Sequence, residues 1–210
     1  MNYLAIDTAN EYLTVLAVKD GKATYSHLPD CAMRHSIALM TEVDKVLGQA
    51  ALALDDCDFF ACVVGAGSFT GIRIGIATVK GLCLACGKPA LPVTSFELSA
   101  YNTLERVDKP LALVGAGHGA YYVCGFDSAG ETLLPPSYLT EEEMLQKCAE
   151  GFSPVSVGVK TLGGTPVRSV DPVAGLQTAV ERKACQGAFG ELQAVYVRKS
   201  SAELNLQKKG

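Results

Sequence analysis

Short apolar runs alternate along the chain with stretches in which apolar side chains return every third or fourth position. The run "YLAID" (3–7) predicts a buried strand. "YLTVLAVKDGKATYSHL" (12–28) predicts a hairpin, with Asp20-Gly21 supplying the positive φ angles of a tight primed turn. Met33, Ile37, Met40, Val43, Leu47 and Ala50 then recur at helical spacing, which predicts an amphipathic helix. "FFACVVG" (59–65) reads as a buried strand, and Ser68 or Thr70 can cap the helix after it. Lys88-Pro89 closes that helix, and "ALPVT" (90–94) is a further strand.

This β-β-β-α-β-α-β order predicts an α/β fold of the ribonuclease H-like kind, one lobe of the actin, hexokinase and Hsp70 superfamily. The second half predicts a helix at 96–104, strands at 110–117 and 120–127, and a turn at 128–130. A helix at 140–150 follows, with Thr140 and Glu143 as its capping box, then a strand at 154–159. Asp171 and Pro172 open a last helix at 171–184, and 194–200 is a strand or extended tail. The expected organisation is a ribonuclease H-like lobe over 1–105 and a smaller, shortened copy over 106–210.

Composition narrows the classes. Half the chain is apolar and 19% charged, enough for a real core, and the net charge of −4 argues against a protein that coats nucleic acid by itself. No apolar run is expected to span a bilayer, and the start "MNYLAIDTAN" lacks a basic leader, so the expected location is the cytoplasm. The eight cysteines then read as packed thiols. Cys83 and Cys86 have redox spacing but lie near the end of a predicted helix, where the dipole does not favour a thiolate. No set of four ligands supports zinc, and no metal site is expected.

The segment "GAGSFTGIRIGIATVKGL" (65–82) invites a phosphate-binding reading. A P-loop needs Gly-Lys-Ser/Thr, but Gly71 is followed by Ile72-Arg73. A dinucleotide fingerprint fails on spacing and on the missing acidic residue about 20 positions later. What remains is a loop of free N–H groups able to hold an anion, with Asp7, Thr8, Gly65, Gly67 and Ser68 as candidates, or a plain strand-to-helix turn. Along the helix Ile72, Ile76, Val79 and Cys83 form one face, with Gly71, Gly75, Thr78 and Gly81 on neighbouring rows. Each interior glycine costs about 0.8–1 kcal/mol, which implies close backbone approach to a sheet or another helix. Arg73 and Lys80 share the opposite face.

"LAIDTANEYLTVLAVKDGK", "RHSIALMTEVDKVL" and "GAGSFTGIRIGIATVKGLCLA" together resemble the TsaB (YeaZ) family. The resemblance implies a two-lobed actin-like fold with a reduced second lobe and no chemistry of its own. It implies pairing with a TsaD-type paralogue, support from a TsaE-type ATPase, and a homodimer where the partner is missing. The assembled complex would use ATP and metal to place threonylcarbamoyl on N6 of adenosine 37 in tRNAs that read ANN codons. The implied interface is Met33, Ile37, Met40, Val43 and Leu47 on the first helix, with Thr70, Ile72, Arg73, Gly75, Ile76, Val79, Lys80 and Cys83 on the second. Unlike the TsaD-type metal-binding pair, His35 has Cys31 and Leu39 four residues away on either side. Ala66 replaces the family's proline, and Gly115-Ala116-Gly117 its Asp-Ala-Arg. The rival readings are a small actin-like metabolite kinase and a homodimeric regulator unrelated to tRNA. Arg198, Lys199, Lys208 and Lys209 make a basic tail that either touches tRNA or frays in solvent.

Overall fold

The computed structural model describes residues 1–198. Strands β1 (Tyr3–Asp7), β2 (Leu13–Lys19) and β3 (Lys22–Leu28) form an antiparallel meander. Its β2–β3 turn has positive φ at both Asp20 and Gly21, as a primed turn demands. Helix α1 (His35–Ala50) crosses to β4 (Phe59–Val63), and α2 (Phe69–Cys86) crosses to β5 (Ala90–Val93). The sheet order is β3-β2-β1-β4-β5, with β4 and β5 parallel to β1.

Helix α3 (Ser95–Tyr101) leads to β6 (Pro110–Gly117), β7 (Ala120–Phe126) and β8 (Thr132–Thr140). Then come α4 (Glu141–Ala149), β9 (Ser153–Ser156), the small hairpin β10 (Thr161–Leu162) and β11 (Thr165–Pro166), β12 (Arg168–Ser169) and α5 (Pro172–Cys185). The second sheet runs β12-β9-β6-β7-β8. Counted from β6 it repeats the first: two antiparallel neighbours on one side and two parallel strands on the other. A two-stranded hairpin stands where the first half has the long helix α2, so the copy is shortened there.

The caps follow the side chains available. Ser68 accepts from the Gly71 amide to start α2, and Asp171 from the Ala174 amide to start α5, with Pro172 at the first helical position. Thr94–Glu97 and Thr140–Glu143 form complete capping boxes. Helix α1 begins at His35, two residues later than the hydrophobic pattern predicts; no side chain caps it, and Met33 stands in the preceding turn.

Helices α1 and α2 cover one face of the first sheet, joining Leu39, Val43, Val46 and Val79 to Leu4, Ile6, Phe60 and Cys62. On the other face α5 packs Leu176, Ala179 and Val180 on Tyr3, Ala5 and Leu91. Helix α3 faces both sheets: Leu98 joins the first core, and Phe96 and Ala100 join Ala112 and Val155 of the second. After α5 the chain returns as an extended strap. The Gly190 amide donates to the Ala90 carbonyl, Leu192 enters the first core, and the Val195 amide donates to the Val64 carbonyl. The stretch 194–198, expected as a strand or extended tail, forms no strand and bends at 197–198; Lys199, Lys208 and Lys209 lie outside the described residues.

One expectation is corrected. Helix α2 is long and apolar enough, by length and composition, to cross a membrane. Its Gly71, Ile72, Gly75 and Val79 are instead seated against the sheet, with Arg73 and Lys80 exposed on the far side.

Candidate functional site: a helical face and an interlobe cleft

Packing on the sheet divides α1 and α2 into an inward and an outward face. Val43 and Leu47 are buried in the first core, as are Ile72, Gly75 and Val79, and Ile76 and Cys83 are half-buried against it. Val43, Leu47, Ile72, Gly75 and Val79, expected at the interface from the sequence, are thus buried in this chain's own fold, while Ile76 and Cys83 keep part of their surface. The glycine-rich face of α2 has an internal explanation. A Cβ at Gly71 would meet the Thr8 carbonyl oxygen at 1.9 Å, and one at Gly75 would meet Thr8 Oγ1 at 2.5 Å. The Thr8 hydroxyl in turn donates to the Gly71 carbonyl at 2.7 Å, so the helix lies directly on the end of β1.

The outward face carries the remaining expected residues. Ile37 is 78% exposed and Met40 47%, with Met33 92% exposed just before the helix. On α2, Thr70, Arg73 and Lys80 face solvent, together with Ala77, Gly81 and Leu84, a stripe at helical spacing. Leu84 is 87% exposed and escaped the sequence reading. A Cβ at Gly81 would touch nothing within 4 Å, so this interior helical glycine makes no close contact inside the chain.

The second feature is a cleft of about 530 Å³ between the lobes, lined by Ala9, Asn10, Glu11, Tyr12, Gly67, Ser68 and, from the second lobe, Val114, Gly115 and Gly158. Of the candidate anion-binding residues only Gly67 and Ser68 border it. Gly65 is closed off by the Val195 carbonyl, 2.6 Å from where its Cβ would stand, and Thr8 is spent on Gly71. The Ser68 amide is also engaged, donating to the Ala9 carbonyl. Gly115 lines the cleft, Ala116 and Gly117 finish β6 across a register shift, and His118 and Gly119, both at positive φ, make the β6–β7 turn.

Asp7 is fully buried at the inner end of β1. Its Oδ1 accepts from the Ala9 amide at 2.8 Å, and its Oδ2 has no hydrogen-bond partner. Burial pushes its carboxyl up to about 6, with the Ala9 amide, the Tyr12 hydroxyl and the His35 charge pulling the other way. His35 bonds through Nε2 to the Tyr12 carbonyl at 2.9 Å, a structural contact. Among the described residues no three His, Cys, Asp or Glu side chains converge on a metal position. Glu11 is the one charged side chain lining the cleft, and it would repel the phosphates of a nucleotide. These residues do not fit a kinase's triphosphate site, which weakens that rival.

Two duplicated ribonuclease H-like lobes flanking a cleft define the actin-like ATPase class. The family model described as TsaD, tRNA N6-adenosine threonylcarbamoyltransferase, matches residues 27–202. The "tRNA threonylcarbamoyladenosine biosynthesis protein TsaB" of Buchnera aphidicola is 33% identical over 111 residues, 53% of this chain and 52% of its own. Its Escherichia coli counterpart is 32% identical over 124 residues, 58% of this chain and 53% of that one. The solved structure of YeaZ from Pseudomonas aeruginosa superposes with a TM-score of 0.75 at 25% identity, covering 93% of this chain and 99% of that one. The chain belongs to this threonylcarbamoyl-transfer family, in its TsaB/YeaZ branch. It spans about half the length of the curated relatives it matches.

Proposed function

We propose that this chain is a non-catalytic subunit of the machinery that makes N6-threonylcarbamoyladenosine in tRNA. It pairs with a TsaD-type paralogue that owns the active site, is served by a TsaE-type ATPase, and forms a homodimer when the partner is missing. ATP and metal act in the assembled complex, tRNA is reached through that complex, and the location is the cytoplasm. The observation that carries the reading is the outward face of α1 and α2. Ile37, Met40 and Leu84 are large apolar side chains held in water on two helices that already bury another apolar face on their own sheet. Large apolar side chains left exposed on the outward sides of both helices fit an interaction surface. The names of the curated relatives support a role in threonylcarbamoyladenosine biosynthesis.

The test is reconstitution. Purified TsaD- and TsaE-type proteins of the same organism, with the threonylcarbamoyl-adenylate donor and unmodified tRNA, should form the modified nucleoside only when this chain is added. Full product formation without it, or modification by this chain alone, would contradict the proposal.

A further inference from the structure

The strap carries a group of side chains that neither the helical face nor the cleft explains. Tyr196 stacks on Phe69 with ring centroids 4.5 Å apart and planes within 14°. Arg73 donates from Nε to the Tyr196 hydroxyl at 3.0 Å, and its guanidinium lies 5.9 Å from the ring centroid. Two residues on, Arg198 lies 4.8 Å over the ring of Tyr138 on β8 and donates to its hydroxyl at 3.2 Å. Tyr138 in turn sits 5.9 Å from Tyr122 on β7. Phe69, Tyr122, Tyr196 and Arg198 border one shallow hollow. Four rings and two guanidinium groups thus make a continuous belt from the first lobe to the second.

The belt is poorly explained as a core. Arg73, Tyr196 and Arg198 are exposed, and Tyr122 and Tyr138 half-exposed. Among the described residues neither arginine pairs with a carboxylate. In a chain of net charge −4 two cations held over tyrosine rings, without counter-ions, form a local site for an anion that also carries flat rings. Unpaired nucleotides have that chemistry: phosphates for the guanidinium groups, and bases that stack on aromatic rings or arginine planes. A protein partner gives no comparable reason for tyrosine hydroxyls to fix both arginines in place.

We propose that the part of this belt clear of the helical docking face, Tyr196 with Arg198–Tyr138–Tyr122, is a direct contact for unpaired RNA, while Arg73 of the docking stripe positions Tyr196. It rests on the tRNA reading above and deepens it, because this subunit would hold part of the RNA itself. Arg198 binds phosphate, and the exposed part of the Tyr196 ring meets a base.

Fluorescence anisotropy on the complex of this chain with its TsaD-type paralogue tests the belt. The probes are a labelled RNA hairpin with an unpaired loop and a fully paired RNA of similar size. Arg198→Glu and Tyr138→Leu should each weaken hairpin binding about tenfold, and Arg198→Glu should lower the salt dependence by about one counterion. Arg198→Lys should stay within about twofold, since the charge on the phosphate is kept. The paired RNA should respond to the charge change alone. Light scattering on the same samples reports pairing. Pairing intact with hairpin affinity unchanged in both weakened variants overturns the belt and leaves the scaffold reading standing. Absence of pairing in the wild-type mixture refutes the scaffold reading, and the RNA contact with it.

Discussion

Two glycines six residues apart on α2 should respond to the same substitution with opposite signs. In Gly75→Ala the new methyl would stand 2.5 Å from Thr8 Oγ1 and 3.3 Å from Cys62 Sγ. Thr8 cannot turn away without breaking its buried bond to the Gly71 carbonyl. Overpacking of this kind costs about 1–3 kcal/mol, and a buried hydroxyl left without its partner about 1–3 more. Helix propensity returns about 1 kcal/mol, so the net effect is a loss of about 1–5 kcal/mol. Gly81→Ala meets nothing within 4 Å and gains only the propensity, about 1 kcal/mol. Urea denaturation followed by circular dichroism reads both, provided the m-value stays constant. A lower midpoint for Gly75→Ala and a higher one for Gly81→Ala is the expected result. Folded Gly75→Ala should pair with a partner as the wild type does, because residue 75 faces the sheet. Equal signs, or a stabilised Gly75→Ala, would refute the packing argument.

Two further outcomes follow from the buried groups. Asp7 binds its proton more tightly folded than unfolded, its pKa rising from 3.8 to about 6. Stability should therefore fall as pH rises through that window, by about 3 kcal/mol for a shift of about two units. Asp7→Asn should flatten this part of the curve, and a variant that keeps the wild-type slope would show that Asp7 is not its source. Leu192→Ala removes the strap's anchor from the first core and should cost about 2–5 kcal/mol in thermal or urea melts. A melt indistinguishable from the wild type would mean that the strap is not held there.

The elements were largely readable because their signals are local. The Asp20-Gly21 turn, the Thr140 capping box and the Asp171-Pro172 helix start all stand where the residues predict them. The helical interface was harder, for a physical reason. A helix between two parallel strands must bury its most apolar stripe on its own sheet, so Ile72, Val79, Val43 and Leu47 go inward. The informative residues are the apolar ones left over. Apolar periodicity put Ile37 and Met40 in one series with Val43 and Leu47 and passed over Leu84, so it could not separate the outward residues from the inward ones. The strap was illegible because its partners are far away in sequence: Tyr196 meets Phe69 and Arg73, and Arg198 meets Tyr138. No spacing rule within one segment brings these residues together.

The central claim is that the outward face of α1 and α2 is a docking surface for a TsaD-type paralogue. The most direct measurement is the dissociation constant of that pair by calorimetry, for the wild type and for Ile37→Glu. Ile37 is 78% exposed, so the substitution leaves the core untouched. A charge buried within an interface should weaken pairing by about thirtyfold or more. Saturable pairing by the wild type with that loss is the result the account predicts. Equal affinity in the folded variant, or no pairing by the wild type, would contradict it.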